Sequence, residues 1–181
     1  MQSLPSSALE QSRKPEVLQK EKNVIDVSLG PILNHLLAIC DFVDNISIVE
    51  FSDPCMTEMK KWLNKEPDAH DWTHTSRIMK EITGSSEGWQ EREERLRSQL
   101  KHMIRCDFTK EISPDLAVLP KADCLFSIWG LEFMSIDEEA FCKNLRTMAS
   151  YIKQGGYLLI YGNINSTFFK VGGEIPSLCL H

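Results

Sequence analysis

The chain has 181 residues, 42% hydrophobic and 25% charged, enough to bury one sizeable core and too few for two comfortable domains. A net charge of -6 and a pI near 5.4 argue against nucleic acid or a membrane surface as partner, since their phosphates repel an acidic face. No apolar run of about 18 residues is present to span a bilayer, and the polar first twenty residues lack the core of a secretory signal. The expected compartment is the cytosol and the expected partner a small molecule or another protein.

Residues 1–22 are rich in Ser, Gln, Lys and Glu and read as a flexible leader, with at most a short helix from Glu16 to Lys22; residues 23–181 read as one domain. Asn23 to Val27 is a short apolar strand that breaks at Ser28-Leu-Gly-Pro31. Ile32, Leu33, Leu36, Leu37, Ile39 and Cys40 then follow at helical spacing. Ile46 to Phe51 is a second strand, after which Asp53 as cap and Pro54 as opener begin a helix with Met56, Met59, Trp62 and Leu63 on one face.

Arg77 to Ile82 reads as a weak strand. The segment from Trp89 to Met103 reads as a charged helix with a solvated polar face and Trp89, Leu96, Leu100 and Met103 inward. Met103 to Phe108 and Ala122 to Trp129 are further strands. Ser135 with Glu138 forms a capping box for a helix that runs through Ile152 and stops at Gly155-Gly156, before a buried strand from Tyr157 to Tyr161. The alternation predicts an α/β fold with a mostly parallel sheet covered on both faces.

In such a sheet ligands bind at the carboxyl ends of the strands. Glu50, at the tip of the second strand and 24 residues after Asp26, is placed to accept both hydroxyls of a ribose, and Asp107 beside Phe108 suits an adenine amino group. Neither GxGxxG nor GxxxxGK[ST] is present to cradle a pyrophosphate or triphosphate. The pattern suits an adenosine without phosphates, and S-adenosyl-L-methionine fits that description. Solvated caps at strand ends are the plain alternative.

Other clusters read as structural. His70 and His74 lie in a loop with no evident third metal ligand, so no metal site is expected. The six cysteines, Cys40, Cys55, Cys106, Cys124, Cys142 and Cys179, form no CxxC pair and are expected as reduced thiols, with Cys106 and Cys124 buried. Among the tryptophans only Trp129 is expected near the pocket.

The segments VIDVSLGP, ISIVEFSD, KKWLNKEPDAHDW, MIRCDFTK, ADCLFSIWGLE and IKQGGYLLI resemble the family of nicotinamide, phenylethanolamine and indolethylamine N-methyltransferases. The resemblance implies a Rossmann-like sheet and S-adenosyl-L-methionine as methyl donor. Ser28 and Gly30 would line its methionine end, Glu50 would hold the ribose with Phe51 alongside, and Asp107 and Phe108 would meet adenine; Asn34, Cys55 and Ile128 stand at further cofactor positions. It places Glu132 and Ser166 on the side of a small amine or pyridine-type acceptor.

The sequence departs from the family pattern at several of these positions. The turn reads SLGP where the family has GSGP, Glu50 replaces an aspartate, Cys55 an asparagine, Asn34 a tyrosine, and Ile128 a small polar residue. Gly162 stands where the nicotinamide-specific member has aspartate. The expectation includes a domain shortened at both ends, without the family's tyrosine-bearing N-terminal helices and final strands. A catalytically inactive relative, acting through cofactor or protein binding, is the second reading.

Overall fold

The structure, a computed structural model, describes residues 22–106 and 114–163. Five strands, β1 (Asn23–Asp26), β2 (Asn45–Glu50), β3 (Leu100–Arg105), β4 (Ala122–Ile128) and β5 (Ile152–Tyr161), form one sheet in the order β3-β2-β1-β4-β5. Every pairing among them is parallel. Strand order reverses between β1 and β4, so the topological switch point, where such sheets bind ligands, lies at the tips of those two strands.

Alternating side chains of the central strands supply two cores. Val24, Ile46, Ile48, Cys124 and Phe126 pack on one face with α1 (Asn34–Ile39), α2 (Asp53–Asn64) and α4 (Trp89–Gln99), through Leu36, Leu37, Met59, Trp62 and Leu96. Ile25, Val27, Val49 and Leu125 pack on the other with α5 (Gly130–Phe133) and α6 (Glu138–Ser150), through Leu131 and Met148. This covering of both faces is why the strands read as unbroken apolar runs.

Several elements differ from the sequence reading. Arg77 to Ile82 is not a strand but part of α3 (Thr73–Thr83), which therefore also takes His74 out of the loop that holds His70. The charged helix ends at Gln99 and Leu100 begins β3. Its polar face is not simply solvated: Arg92 is fully buried, donating from Nε to the Leu37 carbonyl at 2.9 Å with Nη1 3.0 Å from Asp41, and Glu93 accepts from Ser76 Oγ. A buried arginine is tolerated here because it satisfies the carboxyl end of α1.

Helix caps differ too. Ser52, not Asp53, caps α2, accepting from Cys55 N; Asp137, not Ser135, caps α6, accepting from Ala140 N at 2.7 Å. Helix α6 ends at Ser150, and Gly155-Gly156 lie inside β5, where Gly155 takes φ +78° near a shift in register. Nor is β5 buried: Leu159 and Tyr161 are about half exposed. No helix among the described residues is long and apolar enough to cross a membrane.

Candidate functional site

At the tip of β1 the chain turns at Ser28-Leu29-Gly30. Gly30 has φ +77°, a conformation glycine takes without strain, and open space where a Cβ would stand. Ser28 does not have positive φ, and its hydroxyl does not project from the turn. It turns inward, donating to Asp26 Oδ1 at 2.5 Å and accepting from Ile128 N at 3.1 Å. The serine in place of glycine thus ties the tip of β1 to that of β4.

Glu50, at the tip of β2, is buried and reaches across to this turn. Its Oε2 accepts from Gly30 N at 3.1 Å and its Oε1 from Phe51 N and Ser52 N, both at 2.9 Å. Burial pushes its carboxyl above the ordinary glutamate range, with the three N–H donors pulling the other way. A carboxylate offers about four acceptor positions, so one remains for a ligand.

Half-buried Phe51 and Cys55 adjoin Glu50; burial raises the Cys55 thiol as well. Ile128, partly buried, is joined to the turn through its backbone, and Asn34 is exposed at the start of α1. Asp107, Phe108 and Ser166 lie outside the described residues. A cleft of about 410 Å³, lined by Pro31, Glu58, Asp68, His70 and Trp72, borders the turn at Pro31. The KEPDAHDW segment thus flanks the site.

The other half is built at the tips of β4 and β5. Trp129 takes a left-handed conformation, φ 54°, a genuine outlier for a bulky residue and the kind of strain that concentrates at functional sites. Its N–H donates to the Tyr161 carbonyl at 2.7 Å and its ring meets Tyr161 edge-on at 5.3 Å. The next residue, Gly130, packs so tightly that a Cβ would lie 1.8 Å from the Val27 carbonyl oxygen.

One turn on, Glu132 is 7% exposed and burial raises its carboxyl above the usual range. Its Oε2, like Trp129 Nε1, is buried with no hydrogen-bond partner among the described residues. A Cβ on Gly162 would fall 1.2 Å from Glu132 Oε1, so the carboxylate occupies the space that any side chain at position 162 would need.

The sheet therefore brings Ser28, Gly30, Glu50, Phe51, Cys55, Ile128 and Glu132 to the carboxyl edge. Sequence reasoning missed His35, whose Nε2 is 3.0 Å from Asp26 Oδ2 behind the turn, and the steric roles of Gly130 and Gly162.

Comparison with known proteins agrees with this architecture. A family model described as NNMT/PNMT/TEMT family matches residues 8–179. Human nicotinamide N-methyltransferase is 33% identical over 151 residues, covering 83% of this chain and 57% of that protein. Rabbit (Oryctolagus cuniculus) indolethylamine N-methyltransferase is 34% identical over 149 residues, 82% of this chain and 57% of that protein. Phenylethanolamine N-methyltransferase of Bos taurus is 32% identical over 154 residues, 83% and 54% respectively. The chain thus spans somewhat more than half the length of these relatives, and with most of its own length matched it belongs to the NNMT/PNMT/TEMT family.

Proposed function

We propose that this chain is an S-adenosyl-L-methionine-dependent N-methyltransferase domain acting on a small amine or N-heterocycle. The observation that carries the reading is the pairing, at one sheet edge, of a cofactor-type turn with Glu132, a buried carboxylate with an unpartnered oxygen. When bound, S-adenosyl-L-methionine supplies an electrophilic methyl group.

The residues present fit that donor. Gly30 leaves open space on the turn, and Glu50 keeps an acceptor position for a ribose hydroxyl. Ser28, Phe51, Cys55, Asn34 and Ile128 would contribute around it, with Asp107 and Phe108 assigned to adenine. With an amine acceptor, Glu132 Oε2 would accept its N–H and fix the nitrogen with its lone pair free, and Ser166 would add a polar contact on that side. Trp129 and Tyr161 would exclude water. Orientation and water exclusion are the chief demands of such a displacement, so no acid–base triad is required.

A non-catalytic reading, binding cofactor or a protein without turnover, has one observation in its favour: Glu50 already takes three backbone donors. Calorimetric titration with S-adenosylmethionine and S-adenosylhomocysteine, beside Glu50→Ala, separates the two. Saturable binding weakened at least ~30-fold in the variant is expected, on the order of 2 kcal/mol for bonds to a charged group, and justifies an amine screen. A folded chain that binds neither ligand sinks the enzyme reading.

A further inference from the structure

Behind the turn lies a buried group of three side chains that the proposed reaction does not use. Asp26, 4% exposed, accepts at Oδ1 from Ser28 N (3.2 Å) and Ser28 Oγ (2.5 Å), and its Oδ2 faces His35 Nε2 at 3.0 Å. His35 comes from the first turn of α1, so the helix reaches back to the strand it has just left. A serine, an aspartate and a histidine together suggest a nucleophile, but the wiring excludes it. The relay needs one ring nitrogen on serine and the other on the carboxylate. Here the same Nε2 faces both, at 3.0 Å from Asp26 and 3.5 Å from Ser28, and the Ser28 hydroxyl donates its hydrogen bond to the carboxylate instead of to the ring.

We propose that His35 is a positioning residue for the cofactor turn: through Asp26 it fixes Ser28, and through Ser28 the backbone of residues 28–30. The inference rests on the reading of that turn as the cofactor's seat. On a carboxylate this deeply buried an oxygen without a donor is costly, and His35 Nε2, 3.0 Å away, is the group that faces Oδ2. With Asp26 held, Ser28 Oγ stays aimed at Ile128 N, Leu29 N reaches the Ile128 carbonyl at 2.9 Å and Gly30 N reaches Glu50. The turn is anchored to β1, β4 and β2 at once. Without that donor, Asp26 turns toward water and takes the Ser28 hydroxyl with it.

The role needs a donor at the position of Nε2. A glutamine amide nitrogen reaches about as far from Cα as Nε2, whereas asparagine ends near the position of Nδ1. The test is amide hydrogen exchange of the ligand-free 181-residue chain, with S-adenosylhomocysteine affinity measured in parallel. In His35→Asn the amides of residues 28–30 are expected to exchange ~10-fold faster, the scale of one lost charge-assisted hydrogen bond, while β2 and α4 keep their rates. His35→Gln is expected to stay within about threefold of the parent, and S-adenosylhomocysteine affinity to follow the same ranking. Ser28→Ala, which leaves the contact of His35 with the Phe126 ring untouched, is expected to loosen the same three amides.

Equal effects of Asn and Gln, faster exchange spread over the whole sheet, or an unchanged turn in His35→Asn would each overturn the proposal. If the parent chain binds no S-adenosylhomocysteine, the functional reading fails, and the exchange rates still decide whether His35 holds the turn.

Discussion

Two ends of one sheet edge treat the same chemical group in opposite ways. At the tips of β1 and β2, Asp26 and Glu50 are buried carboxylates with three donors each. Just past the tip of β4, in α5, Glu132 is also buried, yet its Oε2 has no partner among the described residues, and Trp129 Nε1, three residues earlier, has none either. An unmet buried polar atom costs about 1–3 kcal/mol. At the first end both oxygens of each carboxylate are already engaged, with one acceptor position of Glu50 to spare; at the second, one oxygen lacks a donor among the described residues.

The contrast depends on two glycines that act differently, and substituting them separates fold from site. In Gly130→Ala the obstacle is backbone, the Val27 carbonyl oxygen at 1.8 Å, which cannot swing aside without parting the tips of β1 and β4. The expected loss is about 3 kcal/mol, the upper range for overpacking, read as a lower midpoint in chemical denaturation. Stability within about 0.5 kcal/mol of the parent would mean that the two tips are not held as closely as described.

In Gly162→Ala the obstacle is the far end of a side chain, the Glu132 carboxylate, which can move. Stability is expected to change by less than about 1 kcal/mol, because relieving an unpartnered buried oxygen offsets the lost packing. S-adenosylhomocysteine affinity should hold while kcat/KM for an amine acceptor falls ~10-fold, on the order of one hydrogen bond to a charged group. A variant that turns over amines as well as the parent removes Glu132 from the acceptor site.

What the sequence made legible divides along the same line. Strands β1, β2 and β4 stood out because both faces are covered, and Glu50 stood out because an acidic residue closes an apolar run. Helix α3 was hidden by Ile78 and Ile82, which suggest a strand but lie exposed on a helix anchored through Met79. The buried face of α4 was hidden because Arg92 and Glu93 look like surface residues until Asp41 and Ser76 are known to face them. His35 and Gly130 carried no signal, and Gly162 only a departure from the family pattern, for a related reason. Each matters through a neighbour far along the chain or across the sheet edge, and no local pattern encodes such contacts.

The smallest expected effect is the most direct test of the contrast. Burial raises the Glu132 carboxyl in the folded chain above its unfolded value. The fold therefore favours the protonated form: the associated stability is fully present below the unfolded pKa and is lost as pH rises through the folded one. Glu132→Gln keeps the shape and does not titrate, so near neutral pH it is expected to be more stable than the parent by about 1 kcal/mol. That advantage should shrink to nothing as pH falls toward about 4, near the unfolded glutamate value. Thermal midpoints of both chains across that range give the answer. A constant difference would show that the carboxylate is already satisfied, whereas a gap that opens with pH, together with lost amine turnover in the variant, identifies Glu132 as a charge kept unpaired in the fold for a ligand to pair.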